Sequence, residues 1–157
     1  MKEWLLTMSV HEKYAKEKII PKEVMRLPKE KLALFLNRLF SCDGSVYYNK
    51  NRNGWEIDYS SSSKIMIKQV HHLLLRFGIL SKIRKKNIKY RGKIVLSYEI
   101  VVNRVNCLPF IREIGFFGAK QEIARKCLSE IKSIASNPNV DTIPRAIWEV
   151  YRPENWA

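Results

Sequence analysis

Acidic side chains are scarce in this chain: 15 Asp and Glu stand against 29 Lys and Arg, a net charge of +14 over 157 residues. Such a surplus repels itself in the compact state, and a polyanionic partner relieves it. Nucleic acid is the expected polyanion, because every cation that neutralises a phosphate releases condensed counterions. An anionic lipid surface would call for a basic helix with a clean apolar stripe, and none stands out. Long apolar runs are also missing, which leaves no candidate membrane span, and Met1-Lys2-Glu3-Trp4 lacks the apolar core of a secretion signal. The expected location is the cytosol, in association with the nucleoid. Cysteine is rare, and Cys42, Cys107 and Cys127 show neither redox-pair nor zinc-ligand spacing, so they are read as reduced and mostly core residues. His11, His71 and His72 likewise have no spacing that converges on a metal. No Ser/His/Asp or Cys/His set and no paired glutamates compete for a catalytic role.

What is present is 46% hydrophobic residues, enough for one ordinary folded unit. After Pro28, Leu32, Phe35, Leu36, Leu39 and Phe40 recur at helical spacing, and Asp43-Gly44 ends the helix, with a left-handed cap expected at Gly44. From Ser45 to Ser60 the period changes to two, with a turn at Asn51-Arg52-Asn53-Gly54, which predicts a hairpin. Ser63 offers the N-cap of a second helix carrying Met66, Val70, Leu73, Leu74 and Phe77, stopped by Gly78. Two more strands, about 81–89 and 94–103, are joined at Tyr90-Arg91-Gly92. The first of them is densely basic. Pro109 is expected to open a short helix broken at Gly115, and a last helix carries Ile123, Cys127, Leu128 and Ile131. The order predicts an α+β fold in which helices cover one face of an antiparallel sheet and the other face is left for a ligand. Ile20-Pro21-Lys22-Glu23-Val24-Met25 is echoed by Ile143-Pro144-Arg145-Ala146-Ile147-Trp148. On that echo, residues 1–28 are read as the tail of a preceding repeat with its linker, 29–135 as one complete repeat and 136–157 as a C-terminal extension.

Asp43 is the most informative residue. An acid at a helix C-terminus opposes the macrodipole, at a cost of about 0.3–1 kcal/mol, so something positive should compensate it. Two readings stay open: a solvated Asp-Gly turn, or a ligand to a hard divalent cation such as Mg2+, which often takes only one or two carboxylates beside water and phosphate. A single carboxylate suffices for a nuclease only if a second copy brings another beside it. The expected nucleic-acid surface comprises Tyr47, Tyr48, Asn49, Lys50, Arg52, Glu56 and Asp58 of the first hairpin and Lys82, Arg84, Lys86, Lys89, Arg91 and Lys93 of the second. A two-stranded ribbon fits the major groove, where such side chains read base edges; the plainer alternative is a solvated basic sheet face. Gly115-Phe116-Phe117-Gly118-Ala119-Lys120 lacks the ending and the strand context of a nucleotide-binding loop. Lys120 is retained as a candidate cation facing a scissile phosphate.

The stretch Leu36-Asn37-Arg38-Leu39-Phe40-Ser41-Cys42-Asp43-Gly44 resembles the LAGLIDADG motif of homing endonucleases, in the form seen in inteins of replicative DNA helicases. The likeness extends to residues 20–28, to Tyr59-Ser60-Ser61-Ser62-Ser63, to Leu73-Leu74-Leu75-Arg76-Phe77-Gly78-Ile79, to Ile114-Gly115 and to Asn139-Val140-Asp141-Thr142-Ile143-Pro144. It implies an αββαββα unit whose sheet forms a saddle over double-stranded DNA. It also implies a motif helix that packs against a homodimer mate or a second repeat, the seam here being assigned to Leu32, Leu36 and Leu39. Asp43, with Gly44, would bind the divalent metal, and Lys120 would lie near the active site. Asn37 and Arg38 depart from the small residues that the family places in this helix. Residue 1 is not a splicing nucleophile and Asn155-Trp156-Ala157 is not a splicing terminus, so an excised endonuclease fragment or a free-standing gene is expected. Function is read as an intein-encoded, Mg2+-dependent site-specific DNA endonuclease, or alternatively as a nuclease-inactive DNA- or RNA-binding module such as a degenerate endonuclease or a maturase.

Overall fold

Pro28, extended at φ −55° and ψ 156°, delivers the chain into a 15-residue helix. In the computed structural model, residues 14–90 and 92–131 are described, Tyr90 by its backbone alone. The element order is α1 (Lys22–Met25), α2 (Lys29–Asp43), β1 (Gly44–Asn49), β2 (Gly54–Ser61), α3 (Lys64–Leu75), β3 (Lys82–Tyr90), β4 (Lys93–Asn103), α4 (Cys107–Glu113) and α5 (Lys120–Ile131). The strands form one antiparallel sheet in the order β1-β2-β4-β3, so two hairpins join along β2 and β4. This is the expected αββαββα plan with the helices on one face. None of the described helices is long and apolar enough to cross a membrane.

Register explains the layering. Val46 opposite Ile57, Ile57 opposite Val102 and Tyr59 opposite Ile100 line one face and are all buried. Against them pack Leu32, Leu36 and Phe40 of α2, Ile67, Val70, Leu73 and Leu74 of α3, and Phe110 of α4. Phe40 sits between Phe110 and Tyr59, with ring centroids at 4.7 and 5.4 Å. From α5, Ala124, Cys127 and Ile131 are buried, whereas Ile123, expected on the inner face, is exposed. The thiols of Cys107 and Cys127 are free and buried, and Cys42 is exposed. Their hydrogen-bonded neighbourhood and burial push the Cys107 thiol far above its ordinary value.

The local signals act largely as read. The Ser63 hydroxyl accepts from the Met66 amide at 3.1 Å, and Gly78 takes φ +69° just past α3. Pro109 does not open its helix: α4 starts two residues earlier, at Cys107. Gly44 also departs from expectation, being extended at ψ 175° rather than left-handed. Its need for glycine is steric. A Cβ there would lie 2.8 Å from both the Asp58 and the Phe40 carbonyl oxygens, so only glycine lets the chain pass from α2 directly into the sheet.

Residues 18–27, expected as linker, are fastened to α3. The Gln69 amide accepts from the Ile20 N–H at 2.8 Å and donates to the Ile20 carbonyl at 3.0 Å. Arg76 donates to the carbonyls of Met25 and Leu27, each at 3.0 Å. This segment is therefore part of the folded unit. His11, the echo at Ile143-Pro144 and the C-terminal extension lie outside the described residues.

Candidate nucleic-acid interface and metal half-site

The end of α2 is where a carboxylate, a sheet and a lysine meet. The Lys120 ammonium donates to the carbonyl oxygens of Ser41, Cys42 and Phe40 at 2.6, 3.3 and 3.4 Å. The Ser41 and Cys42 carbonyls are among those that a helix leaves unpaired at its C-terminus, whereas that of Phe40 also accepts from the Gly44 N–H. Lys120 thus brings a positive charge from the first residue of α5 to the helix end that Asp43 closes. Ser41 adds a second tie, its hydroxyl accepting from the Phe117 N–H at 2.7 Å. Asp43 itself is exposed and its carboxylate makes no hydrogen bond or ion pair among the described residues. It is close enough to Tyr59 to raise that phenol to about 12, after burial as the larger cause.

No group of three or more His, Cys, Asp or Glu side chains gathers as a metal site among the described residues. Asp43 is one exposed hard-oxygen group without a competing partner among the described residues, and Mg2+ takes a single carboxylate only when water, phosphate or a second carboxylate completes the octahedron.

The face of the sheet away from the helices carries the other residues. By strand alternation Tyr47 and Asn49 of β1, Glu56 and Asp58 of β2, Glu99 of β4, and Lys82, Arg84 and Lys86 of β3 share it. Glu56 was expected to contact DNA, but it is only 2% exposed. Its oxygens accept from Arg52 at 2.7 Å, Asn49 at 3.0 Å and Tyr47 at 3.1 Å. Burial alone would raise its pKa, but the hydrogen bonds from Asn49, Arg52 and Tyr47 outweigh it and hold the carboxyl below its ordinary range. Glu56 therefore organises its neighbours. Asp58 is half-buried, and burial followed by the nearby Glu99 charge pushes its pKa up. Lys86 pairs with Glu99 at 3.0 Å.

Two expected readers face the other way. Tyr48 packs edge-on against Trp55 at 5.7 Å on the helix side and donates its hydroxyl to Asn53. Lys89, opposite Ile94, falls on the reverse face of the β3–β4 ribbon from Lys82, Arg84 and Lys86. Lys50 is exposed in the turn between β1 and β2, Lys93 is exposed at the start of β4, and Arg91 lies outside the described residues.

The expected inter-repeat seam is also corrected. Leu32 and Leu36 are fully buried in this chain's own core, and Leu39 is partly buried against it. An i, i+4 apolar stripe marks the side of the helix that its own sheet covers. The side of α2 left open carries Leu34, 52% exposed, and Arg38, whose guanidinium lies 4.4 Å from the centroid of the 64%-exposed Phe117 ring. Asn37 donates to the Ile114 carbonyl at 2.9 Å, tying this side of α2 to the segment before Phe117. The sequence held a signal for this surface in the Phe-Phe pair between two glycines, both with positive φ.

Comparison with known proteins agrees with the geometry. The family model described as a LAGLIDADG-like domain matches residues 30–115, from α2 to the end of α4. The replicative DNA helicase DnaB of Synechocystis sp. is 30% identical over 94% of this chain, which covers 17% of the helicase. The same helicase of Rhodothermus marinus is 29% identical over 93% of this chain and 16% of its own length. The replication factor C small subunit of Methanocaldococcus jannaschii is 35% identical over 90% of this chain and 7% of its length. The chain thus spans less than a fifth of these relatives. With the motif helix, the two hairpins and the following helices matched in order, the chain belongs to the LAGLIDADG-like domain family.

Proposed function

We propose that this chain is one half of a homing endonuclease, originally lodged in an intein, that binds double-stranded DNA across the open sheet face and cuts it at Asp43. The observation that carries the reading is the exposed Asp43 carboxylate, unpartnered among the described residues, at the end of the matched motif helix where the chain enters the sheet. The short share of each relative covered by the chain supports an inserted element, and the different identities of the replicative helicase and the replication factor C small subunit support one that moves between genes. Asp43, with Gly44 beside it, is the residue that would hold Mg2+. Bound there, a hard divalent cation supplies Lewis-acid polarisation of a phosphodiester and a more acidic water. The protein's own part is positional: Lys120 and Ser41 fix the helix end, and Lys82, Arg84 and Lys86 hold phosphates.

A second reading has one observation behind it. Asn37 and Arg38 stand in α2 where close helix pairing needs small residues, with Arg38 stacked over Phe117, which favours a DNA-binding module that no longer cuts. Incubation with a plasmid carrying an uninterrupted replicative-helicase gene, with and without magnesium, separates the two. Magnesium-dependent linear product is expected. Tight binding without any cleavage would leave the binding module, and absence of both would remove the nucleic-acid reading.

A further inference from the structure

At the end of the sheet away from the Gly92 turn, the first hairpin turn, the start of β3 and the end of β4 enclose a cleft of about 650 Å3. Arg52, Lys82 and Arg104 line it, with the amides of Asn51, Asn103 and Asn106 between them. The only carboxylate among its described lining residues, Glu56, is already engaged by Tyr47, Asn49 and Arg52. Asn106 accepts from the Leu80 N–H at 3.3 Å, which leaves its NH2 group as a donor. The cleft therefore carries three cations and no unengaged carboxylate among its described lining residues.

Arg104 makes the case specific. It sits at φ +52°, a left-handed conformation that glycine and asparagine enter far more readily than arginine. Its side chain is exposed and makes no hydrogen bond or ion pair among the described residues, and its stem packs beside Gly54, where an added Cβ would lie 3.7 Å from Arg104 Cγ. An arginine placed where the backbone prefers other residues, with its guanidinium left unpaired beside two more cations, points to an anion supplied from outside.

We infer that this cleft is a clamp for a DNA backbone phosphate, held chiefly by Arg104 and Lys82, at the point where a duplex lying along the open face leaves the sheet. The inference rests on the DNA-binding reading above. It adds a contact that carries no sequence information and fixes the duplex lengthwise.

The test is the salt dependence of binding to a short duplex of arbitrary sequence. Arg104→Gly is expected to keep or raise the melting temperature, because the strained backbone is relieved. It should also bind several-fold more weakly at ~0.1 M salt, with the log–log salt slope smaller by about 0.9, one phosphate's share. Arg104→Lys should retain the wild-type slope, and Lys68→Ala, an equal loss of charge on the helical face, should do so too. If Arg104→Gly does not fold, Arg104→Asn, which also tolerates the left-handed backbone, takes its place. A folded Arg104→Gly or Arg104→Asn with the wild-type slope overturns the clamp, as does an equal loss in Arg104→Lys or Lys68→Ala. A flat slope in the wild type would instead remove the DNA-binding reading on which the clamp stands.

Discussion

Glu56 and Asp58 lie two residues apart on β2 and face the same side, yet their surroundings drive their charges in opposite directions. Hydrogen bonds hold the Glu56 pKa below its ordinary value, so its ionised form stabilises the fold above the unfolded pKa and that contribution fades as pH falls through the folded one. Glu56→Gln should lower stability at pH 7 by about 1–3 kcal/mol, since buried donors lose a charged acceptor, and the gap to wild type should close in acid. Asp58 has the reverse sign. Its folded pKa is raised, so ionisation costs stability above that value and costs nothing below the unfolded pKa. Asp58→Asn should melt higher than wild type at pH 7 and the same in acid. Thermal melts across pH 3–8, a range of about the carboxylate region, check both. The alternation of Glu56 and Asp58 with Trp55 and Ile57 was legible in the sequence. That Glu56 is walled in by Tyr47, Asn49 and Arg52 was not, because it depends on the register of β1 against β2.

At the scale of elements, α2 carries two faces with separate consequences. Leu36 is fully buried in the core, and Leu36→Ala should cost about 2–5 kcal/mol through lost contacts and a cavity, measured by denaturant unfolding of the chain. Leu34 is half exposed beside Arg38 and Phe117, so Leu34→Ser should leave unfolding nearly unchanged and weaken self-association in sedimentation. The reverse pattern would restore the seam at Leu32, Leu36 and Leu39. Helical periodicity locates an apolar stripe but does not say whether the chain's own sheet or a second copy covers it, and this is why Leu32 and Leu36 read as a seam although this chain's own core covers them. Lys120 presents a similar case. Its place at the start of α5 was readable, but its reach across 79 residues to the Ser41 carbonyl is a product of packing. Lys120→Met should lower stability by about 0.3–1 kcal/mol through loss of the helix C-terminal charge. A melt identical to wild type would show that the cap contributes nothing.

For the whole molecule, the division into a helical layer and an open basic face followed from periodicity, the Ser63 cap and the glycine stops. Strand order did not, since the pairing of β2 with β4 in the middle of the sheet joins segments about forty residues apart and leaves no local mark. The family likeness located Asp43 at a helix end, and the structure adds that this carboxylate is exposed, unpaired among the described residues and without enough companions there to hold a metal alone. The proposed cutting at Asp43 therefore calls for a second copy to bring another carboxylate. The most direct measurement compares wild type with Asp43→Asn on the same cleavable plasmid, with magnesium for cutting and calcium for binding. Asparagine keeps the size and a carbonyl oxygen but lacks the charge that draws a hard cation. Cleavage is predicted to collapse, while DNA binding and melting temperature stay at or slightly above the wild-type values. Equal cleavage by the two proteins would contradict the assignment of Asp43 to the reaction, and parallel loss of binding and cleavage would make it a structural residue.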